Sequence, residues 1–300
     1  MKETKPKIVA IVGATASGKT SLSIDLAKEF SGEIISADSR QVYKELDIGT
    51  AKVTQEEMSG VPHHLIDVVN VDTVFTAHDF KTLANQAITD IQSRNKLPII
   101  VGGTFFYLDQ LRGTSGVADV EPNPELRAEL EQLSLEELRT RVATFDRTLL
   151  ETLEIENPRR LMRAIEILEA LGHIPKPTVV ESPYDWLIIG LSVEKEELRS
   201  RYRTRATSWL EVGFLDEIST LLKKGVSEAR LQEIGFEYTL GLSLLKGEIT
   251  ETEFIDKFEQ KNWQYAKRQL LWLKRDSDIK WFKPEQRTDI FTTVESFLHN

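Results

Sequence analysis

The segment that most restricts this chain is Gly13-Ala-Thr-Ala-Ser-Gly18-Lys19-Thr20, which fits the pattern GxxxxGK[ST]. It follows a β-branched run, Lys7–Val12, and precedes helical spacing at Leu22, Leu26 and Phe30 within Thr20–Phe30. Between a strand and a helix, the backbone N–H groups of Gly13, Ala14, Thr15, Ala16, Ser17 and Gly18 can curl around a diphosphate, aided by the positive end of the helix dipole. Lys19 adds a mobile charge, and the Thr20 hydroxyl is placed to ligate Mg²⁺.

Glu33–Ala37 and Leu97–Val101 are further short apolar runs, separated by a helix over Phe80–Ile91 with Phe80, Leu83, Ala87, Ile88 and Ile91 on one face. Buried strands alternating with helices predict a parallel sheet wound with right-handed crossovers. The character changes after Gly116: Glu121-Pro-Asn-Pro124 is loop chemistry, and Glu125–Leu171 is helical, with Leu126, Leu130, Leu133, Leu135, Leu138 and Val142 marking amphipathic faces. Gly172, Pro175, Pro177 and Pro183 end that block, and Trp186–Val193 reads as a returning core strand. The expected fold is therefore α/β: a P-loop NTPase-like parallel sheet formed by 1–118 and 184–300, interrupted by an all-helical domain over 119–183. Glu194–Trp209 and Glu251–Arg275 are expected as long helices.

Composition narrows the chemistry. The 300 residues hold no cysteine, which removes disulfides, thiol catalysis, iron–sulfur clusters and cysteine zinc sites, and fits a reducing cytoplasm. No apolar run approaches membrane-spanning length, so a cytoplasmic protein without a membrane partner is expected. A net charge of −10 argues against indiscriminate coating of nucleic acid but leaves room for a local basic patch.

The loop does not name its phosphate compound. The strand Ile99-Ile-Val101 runs into Gly102-Gly103-Thr104 rather than an acidic residue, which counts against nucleotide hydrolysis. Glycines there either let a flat ligand lie on backbone or simply form a tight turn. Asp38, just past the second strand, belongs at the carboxyl edge of the sheet beside the phosphate loop. Its carboxylate can accept a proton, hold a metal through water, or cap the next helix. Arg40 and Gln41 are hooks for phosphates or base edges. His63-His64 lack further ligands, so a structural or substrate-positioning role is expected. Trp209, Trp263 and Trp272 are expected to anchor helix packing. Lys267, Arg268, Leu271, Lys274 and Arg275 form a mainly basic stripe, either a phosphate surface or a solvated face.

Together these blocks resemble the tRNA dimethylallyltransferase (tRNA isopentenyltransferase, or IPP transferase) family. The match is carried by Gly13–Thr20, Ile35-Ser-Ala-Asp-Ser-Arg-Gln-Val-Tyr43, Asp47-Ile-Gly-Thr-Ala-Lys52 and Gly60-Val-Pro-His-His-Leu-Ile-Asp67. It continues through Val101-Gly-Gly-Thr104, Arg159-Arg-Leu-Met-Arg-Ala-Ile-Glu166, Ile234-Gly235 and Tyr265-Ala-Lys-Arg-Gln269. The resemblance implies Mg²⁺-assisted transfer of a dimethylallyl group from dimethylallyl diphosphate to N6 of the adenosine 3′-adjacent to the tRNA anticodon, by a monomer. It gives Asp38 the part of general base, with Lys19 and Arg205 at the leaving diphosphate. It places Asp38, Ser39, Arg40, Gln41 and Thr104 around the extruded base. It assigns the anticodon stem-loop to Arg127, Arg159, Arg160, Leu161, Met162, Arg163, Lys267 and Arg268. Among the arginines of 199–205, only Arg201 and Arg205 match the family pattern.

The chain departs from that pattern at Ala14 (usually proline), Trp209 (often methionine), Asn262-Trp263 (Thr-Arg) and Leu270-Leu271 (a pair that normally includes threonine). Phe236-Glu237 stand where tyrosine and a basic residue are typical, so no contact is assigned there. The competing readings are a prenyltransferase acting on free adenine nucleotide, a small-molecule P-loop kinase, and a non-catalytic tRNA-binding module. The helical block and basic stripe favour a macromolecular acceptor over the first. The absent acidic strand end counts against the second, and the combination of Lys19, Thr20 and Asp38 against the third.

Overall fold

In a computed structural model of the chain, residues 5–114, 120–121, 123–175 and 181–299 are described. Gly116, Pro122, Pro177 and the expected 118/119 boundary lie outside them. The first part of the chain runs β1 (Lys7–Gly13), α1 (Lys19–Glu29), β2 (Gly32–Ser36), α2 (Gln55–Met58), β3 (His63–His64), α3 (Ala77–Ser93), β4 (Leu97–Val101) and α4 (Phe105–Arg112). Four helices follow: α5 (Pro124–Leu130), α6 (Leu135–Phe145), α7 (Leu149–Thr152) and α8 (Pro158–Leu171). The remainder is β5 (Asp185–Leu191), α9 (Lys195–Glu211), α10 (Phe214–Lys223), α11 (Glu228–Ile234), α12 (Phe236–Leu245), α13 (Glu251–Leu273), β6 (Ile279–Phe282) and α14 (Arg287–His299).

The six strands form one parallel sheet in the order β3-β2-β4-β1-β5-β6. β1 lies inside it, with Val9 opposite Ile99 on one side and Leu187 on the other. A strand covered on both faces needs a continuous apolar run, and Ile8, Val9, Ala10 and Ile11 are all fully buried. Ile8 and Ala10 pack with Phe80, Ile88 and Ile91 of α3, while Val9 and Ile11 pack with Leu22 and Leu26 of α1 and with Ile290 and Val294 of α14. The carboxyl ends of β1, β2 and β4 consequently open at the same edge, followed by the phosphate loop, Asp38 and Gly102 respectively, the position where open α/β sheets bind ligands.

A third apolar cluster joins α9, α10, α12 and α13 through Tyr202, Trp209, Phe214, Tyr238, Phe254 and Phe258. The long helix α13 starts at a capping box in which the Thr250 side chain and Glu253 satisfy each other's backbone N–H groups.

The chain divides into two compact units, 1–112 with 181–300, and 113–180. The second unit has its own core, built from Leu126, Leu130, Leu138, Val142, Leu161, Ile165 and Leu168. Within it α8 is set locally: Asn157 caps it, Pro158 occupies the first turn, and Gly172 ends it at φ +75°.

Some elements were not anticipated. Among them, β3 has two residues, β6 is a short edge strand with Lys280 and Trp281 exposed, α11 is only seven residues long, and α10 went unread although Phe214, Ile218 and Leu221 form a buried stripe.

Candidate active site

Gly13 closes β1 at φ +151°, where an added Cβ would lie 2.8 Å from Ser17 Oγ and 2.9 Å from Leu191 O. Gly18 precedes α1 at φ +94°, a left-handed conformation that a Cβ would strain. These two glycines let the intervening backbone curl. Ala14, in place of the usual proline, is buried within the core and leaves the curl intact.

α9 and α13 hold the loop from outside. Arg201, Tyr202 and Arg205 share a helix face. Arg201 donates to Ala16 O (2.8 Å), Tyr202 to Thr15 O (3.2 Å) and Arg205 to Thr15 Oγ1 (3.2 Å). Gln269 accepts from Thr15 N (3.1 Å) and donates to Gly103 O (2.9 Å), bridging the ends of β1 and β4. By contrast, Arg199 and Arg203 pair with Glu259 and Asp256.

Lys19 folds back to donate to Gly13 O (3.0 Å) and Ala14 O (2.7 Å). Burial pulls its ammonium down to about 8, with Asp38 opposing and Arg205 reinforcing that shift. Burial also lowers Arg205 from its ordinary value. Two cations thus sit poorly solvated beside the loop, a situation that an incoming polyanion relieves.

Asp38 Oδ1 accepts from the backbone N–H of Arg40 (2.9 Å) and Gln41 (3.3 Å), so it caps the turn after β2 rather than the expected helix, since the next helix, α2, begins only at Gln55. Both bonds fall on Oδ1, which leaves Oδ2 for a substrate. Ser39 N donates to Thr104 Oγ1 (3.1 Å), and Thr104 Oγ1 lies 3.3 Å from Ser39 Oγ. Gln41 donates to Ala51 O (3.1 Å). Arg40 pairs with Glu237 at 2.6 Å.

These groups line one cavity of about 1150 Å³, which takes in Thr15–Thr20, Asp38–Gln41, Arg201, Arg205, Glu237, Tyr265 and Gln269. The diphosphate-binding and base-binding candidates at the carboxyl edge of the sheet are therefore brought together, with Thr104 reaching the site through Ser39.

Gly102 and Gly103 are half-buried and line the same cavity. Only their Cβ side is filled by the protein: a Cβ on Gly102 would lie 2.1 Å from Ala37 O, and one on Gly103 would lie 2.6 Å from Gln269 Nε2. Several other expectations need correction. Leu161, expected at the tRNA, is fully buried in the helical unit's core, and exposing it would cost about 1.5–3 kcal/mol. Met162 packs against the same core. Arg127 and Arg163 both bind the buried Glu166 carboxylate, while Arg159 and Arg160 lie exposed. Trp272 is no packing anchor: it is 42% exposed and donates to Asp109. The other two tryptophans differ from it. Trp209 stacks edge-on with Phe258 inside the core, and Trp263 packs partly buried under Lys195.

His63 and His64 form the short strand β3. His63 Nδ1 bonds Val61 O and His64 Nε2 bonds Glu33, so the rings serve separate partners. Among the described residues no group of three or more His, Asp and Glu could hold a metal. Lys267 and Arg268 are exposed on α13, and Lys274 and Arg275 are exposed in the turn just past its end, since the helix stops at Leu273 rather than Arg275.

Three residues of the site escaped the sequence reading. Glu237 was given no contact and Gln269 no role of its own. Lys52, whose ammonium binds Tyr43 O, Asp47 and Asp67 and so ties down the cavity-lining loop 47–53, appeared only within a matched block.

Residues 41–276 match the family model described as IPP transferase. This chain belongs to the IPP transferase family. It is 39% identical over 297 residues to a tRNA dimethylallyltransferase of Staphylococcus aureus (strain JH9), covering 95% of each chain. Among solved structures it resembles the full-length tRNA isopentenylpyrophosphate transferase of Bacillus halodurans, at 35% identity and a TM-score of 0.73, covering 98% of this chain and 97% of that one. It also resembles a eukaryotic dimethylallyltransferase acting on tRNA, at 28% identity and a TM-score of 0.79, covering 97% of this chain and 77% of that one.

Proposed function

We propose that this IPP transferase moves a dimethylallyl group from dimethylallyl diphosphate to N6 of the adenosine 3′-adjacent to the anticodon, releasing diphosphate. The observation that carries the reading is that the phosphate loop, its two poorly solvated cations and the Asp38 carboxylate open into one cavity large enough for two substrates. A phosphate loop that faces a carboxylate suits a reaction in which diphosphate leaves and an amine loses a proton.

In this scheme the diphosphate lies on the backbone N–H groups of 13–20. Lys19 exchanges its two carbonyl partners for phosphate oxygens, and Arg205 turns to the same charge. The adenosine is flipped out of its stack, and its N6 approaches the allylic carbon from the Asp38 side. As the new N–C bond forms and the allylic C–O bond breaks, the electron pair leaves with the diphosphate and the N6 proton passes to Asp38 Oδ2. Ser39, Arg40 and Gln41 frame the base, with Thr104 behind Ser39.

The exposed Thr20 hydroxyl lines the same cavity and offers a hard oxygen. With the diphosphate oxygens and water it suits Mg²⁺, which needs few protein ligands. Mg²⁺ held there would supply charge to the leaving diphosphate. Arg159 and Arg160 of the helical unit and Lys267 and Arg268 of α13 are proposed contacts to the anticodon stem-loop.

No helix of the described residues is long and apolar enough to cross a membrane. The proposed enzyme works as a cytoplasmic monomer, as the family resemblance implies.

The test is incubation of the full chain with dimethylallyl diphosphate, Mg²⁺ and unmodified tRNA, followed by nucleoside mass spectrometry. N6-dimethylallyladenosine is expected. Product with AMP but not with tRNA would move the acceptor to the free nucleotide, and phosphoryl transfer from ATP would replace the reading with a kinase.

A further inference from the structure

We infer that Glu237 is a positioning residue for the acceptor side of the cavity: through its ion pair it fixes the Arg40 guanidinium and keeps it away from the Asp38 carboxylate. The inference rests on the prenyl-transfer reading above.

Arg40 lies two residues after Asp38, and its own backbone N–H binds Asp38 Oδ1. An arginine side chain so close to a carboxylate ordinarily pairs with it, and a paired carboxylate is a poor proton acceptor. Here the guanidinium turns elsewhere. Its Nη1 donates to Glu237 Oε2 at 2.6 Å, and its carbon sits 5.8 Å from the Phe236 ring centre and 5.9 Å from that of Tyr265. The carboxylate and two rings together leave the fork little freedom. Glu237 itself is buried, with 8% of its side chain exposed.

The pair lies close against backbone. A Cβ on Gly235 would lie 2.5 Å from Glu237 Oε2 and 2.8 Å from Arg40 Cζ, so a side chain there would displace the pair. Gly235 is extended at φ 178°, so space rather than backbone strain selects it. The local charges are arranged to match: Lys19 and Arg205 sit beside the phosphate loop, while the Arg40 guanidinium is paired with Glu237, and Asp38 accepts its two backbone hydrogen bonds on Oδ1. A basic residue at 237, as the family pattern usually has, would abolish this pairing and repel Arg40.

The experiment is steady-state prenylation of unmodified tRNA by the full chain and by Glu237→Gln, Arg40→Gln and the double variant, each checked for folding by thermal melting. Glu237→Gln keeps the shape and removes the charge. It is expected to lower kcat about tenfold while leaving KM for dimethylallyl diphosphate within about twofold. In the Arg40→Gln background the same change is expected to do nothing further, because Glu237 acts through Arg40. Gly235→Ala keeps both charges but displaces the pair, and should reproduce the loss in kcat; it carries the test should Glu237→Gln fail to fold. Wild-type kcat in Glu237→Gln or Gly235→Ala, or a double variant whose loss is the product of the two single losses, would overturn the inference and leave the prenyl-transfer reading standing. A wild-type chain that prenylates neither tRNA nor AMP would overturn both.

Discussion

Changing Glu166 to glutamine asks what the arginines of the helical unit are for. The Glu166 carboxylate has 1% side-chain exposure and accepts from Arg127 Nε (2.8 Å) and Nη2 (3.0 Å), Arg163 Nη1 (3.1 Å) and Asn123 N (2.9 Å). Burial works against its charge, but the bonds from Arg127, Asn123 and Arg163 outweigh it and hold the carboxyl below its ordinary range. Glutamine would keep the volume, lose the charge and set an amide donor against guanidinium donors. Breaking a buried pair from one side costs about 3–5 kcal/mol. Arg127 and Arg163 keep 34% and 28% side-chain exposure and can turn partly toward water, which places the cost near the low end, at about 3 kcal/mol. A unit of about 70 residues is worth roughly 3–10 kcal/mol in all, so this one substitution removes a large share of its stability.

Hydrogen exchange on the full chain, read by mass spectrometry, tests the reasoning. Protection of α5 and α8 should fall about 10²-fold, the equivalent of 3 kcal/mol, while β1 keeps its protection. Arg127→Ala should give the same pattern with an unchanged salt slope of tRNA binding. If α5 and α8 exchange as in the wild type, Glu166 is not the fastening point. If Arg127→Ala instead lowers the salt slope by about one without altering exchange, Arg127 contacts phosphate after all.

Asp38→Asn should bind tRNA within a few-fold of wild type but turn over at least about 10²-fold more slowly; an unchanged rate removes Asp38 as the base. Lys267→Ala with Arg268→Ala should weaken tRNA binding and flatten its dependence on salt, whereas an unmoved slope makes the exposed stripe of α13 a solvated face. Glu33, tied to Arg94 and His64 at the β2–β3 edge, is held below its ordinary 4.5, chiefly by the Arg94 hydrogen bond against the pull of burial. Its folded value is depressed, so its stabilisation is fully present above 4.5 and is lost as pH falls through the folded value. Glu33→Gln should therefore flatten the fall of Tm below that pH, and identical acid melting of variant and wild type would contradict this.

Features that depend on near neighbours were legible in the sequence. The phosphate loop is a local pattern, and β1, β2, β4 and β5 are covered on both faces, so each carries a central apolar run even where, as at Glu33 and Ser36 of β2, a polar residue is buried beside it. The edge strands were not: β3 has two residues, and β6 alternates buried Ile279 with exposed Lys280 and Trp281. Arg201 and Arg205 were picked out of a helix with four alternating arginines only through the family pattern, and it is these two that contact Ala16 and Thr15 of the loop. Glu237 and Gln269 were missed for a physical reason. Their partners, Arg40 and Thr15, are nearly two hundred or more residues distant in the chain, and a buried glutamate reads in sequence like any surface acid.

The departures from the family pattern look different once the cavity is drawn. Taken as sequence, they gather in the last third of the chain and point toward tRNA affinity. In the structure they separate by position. Leu271 is 62% exposed on the outer side of α13, and Leu270 and Trp263 pack against the helical cluster, so none of the three touches the reacting groups. Trp209, Asn262 and Glu237 line the cavity itself. Trp209 is braced by Phe214 and Phe258, and Asn262 donates to Phe258 O one turn back, which makes both of them wall. Glu237 alone among these brings a charge to an arginine two residues from the proposed base. The chain therefore differs from its family's usual pattern most consequentially at the acceptor side of the chemistry, and a charge change at 237 should register in kcat before it registers in tRNA binding.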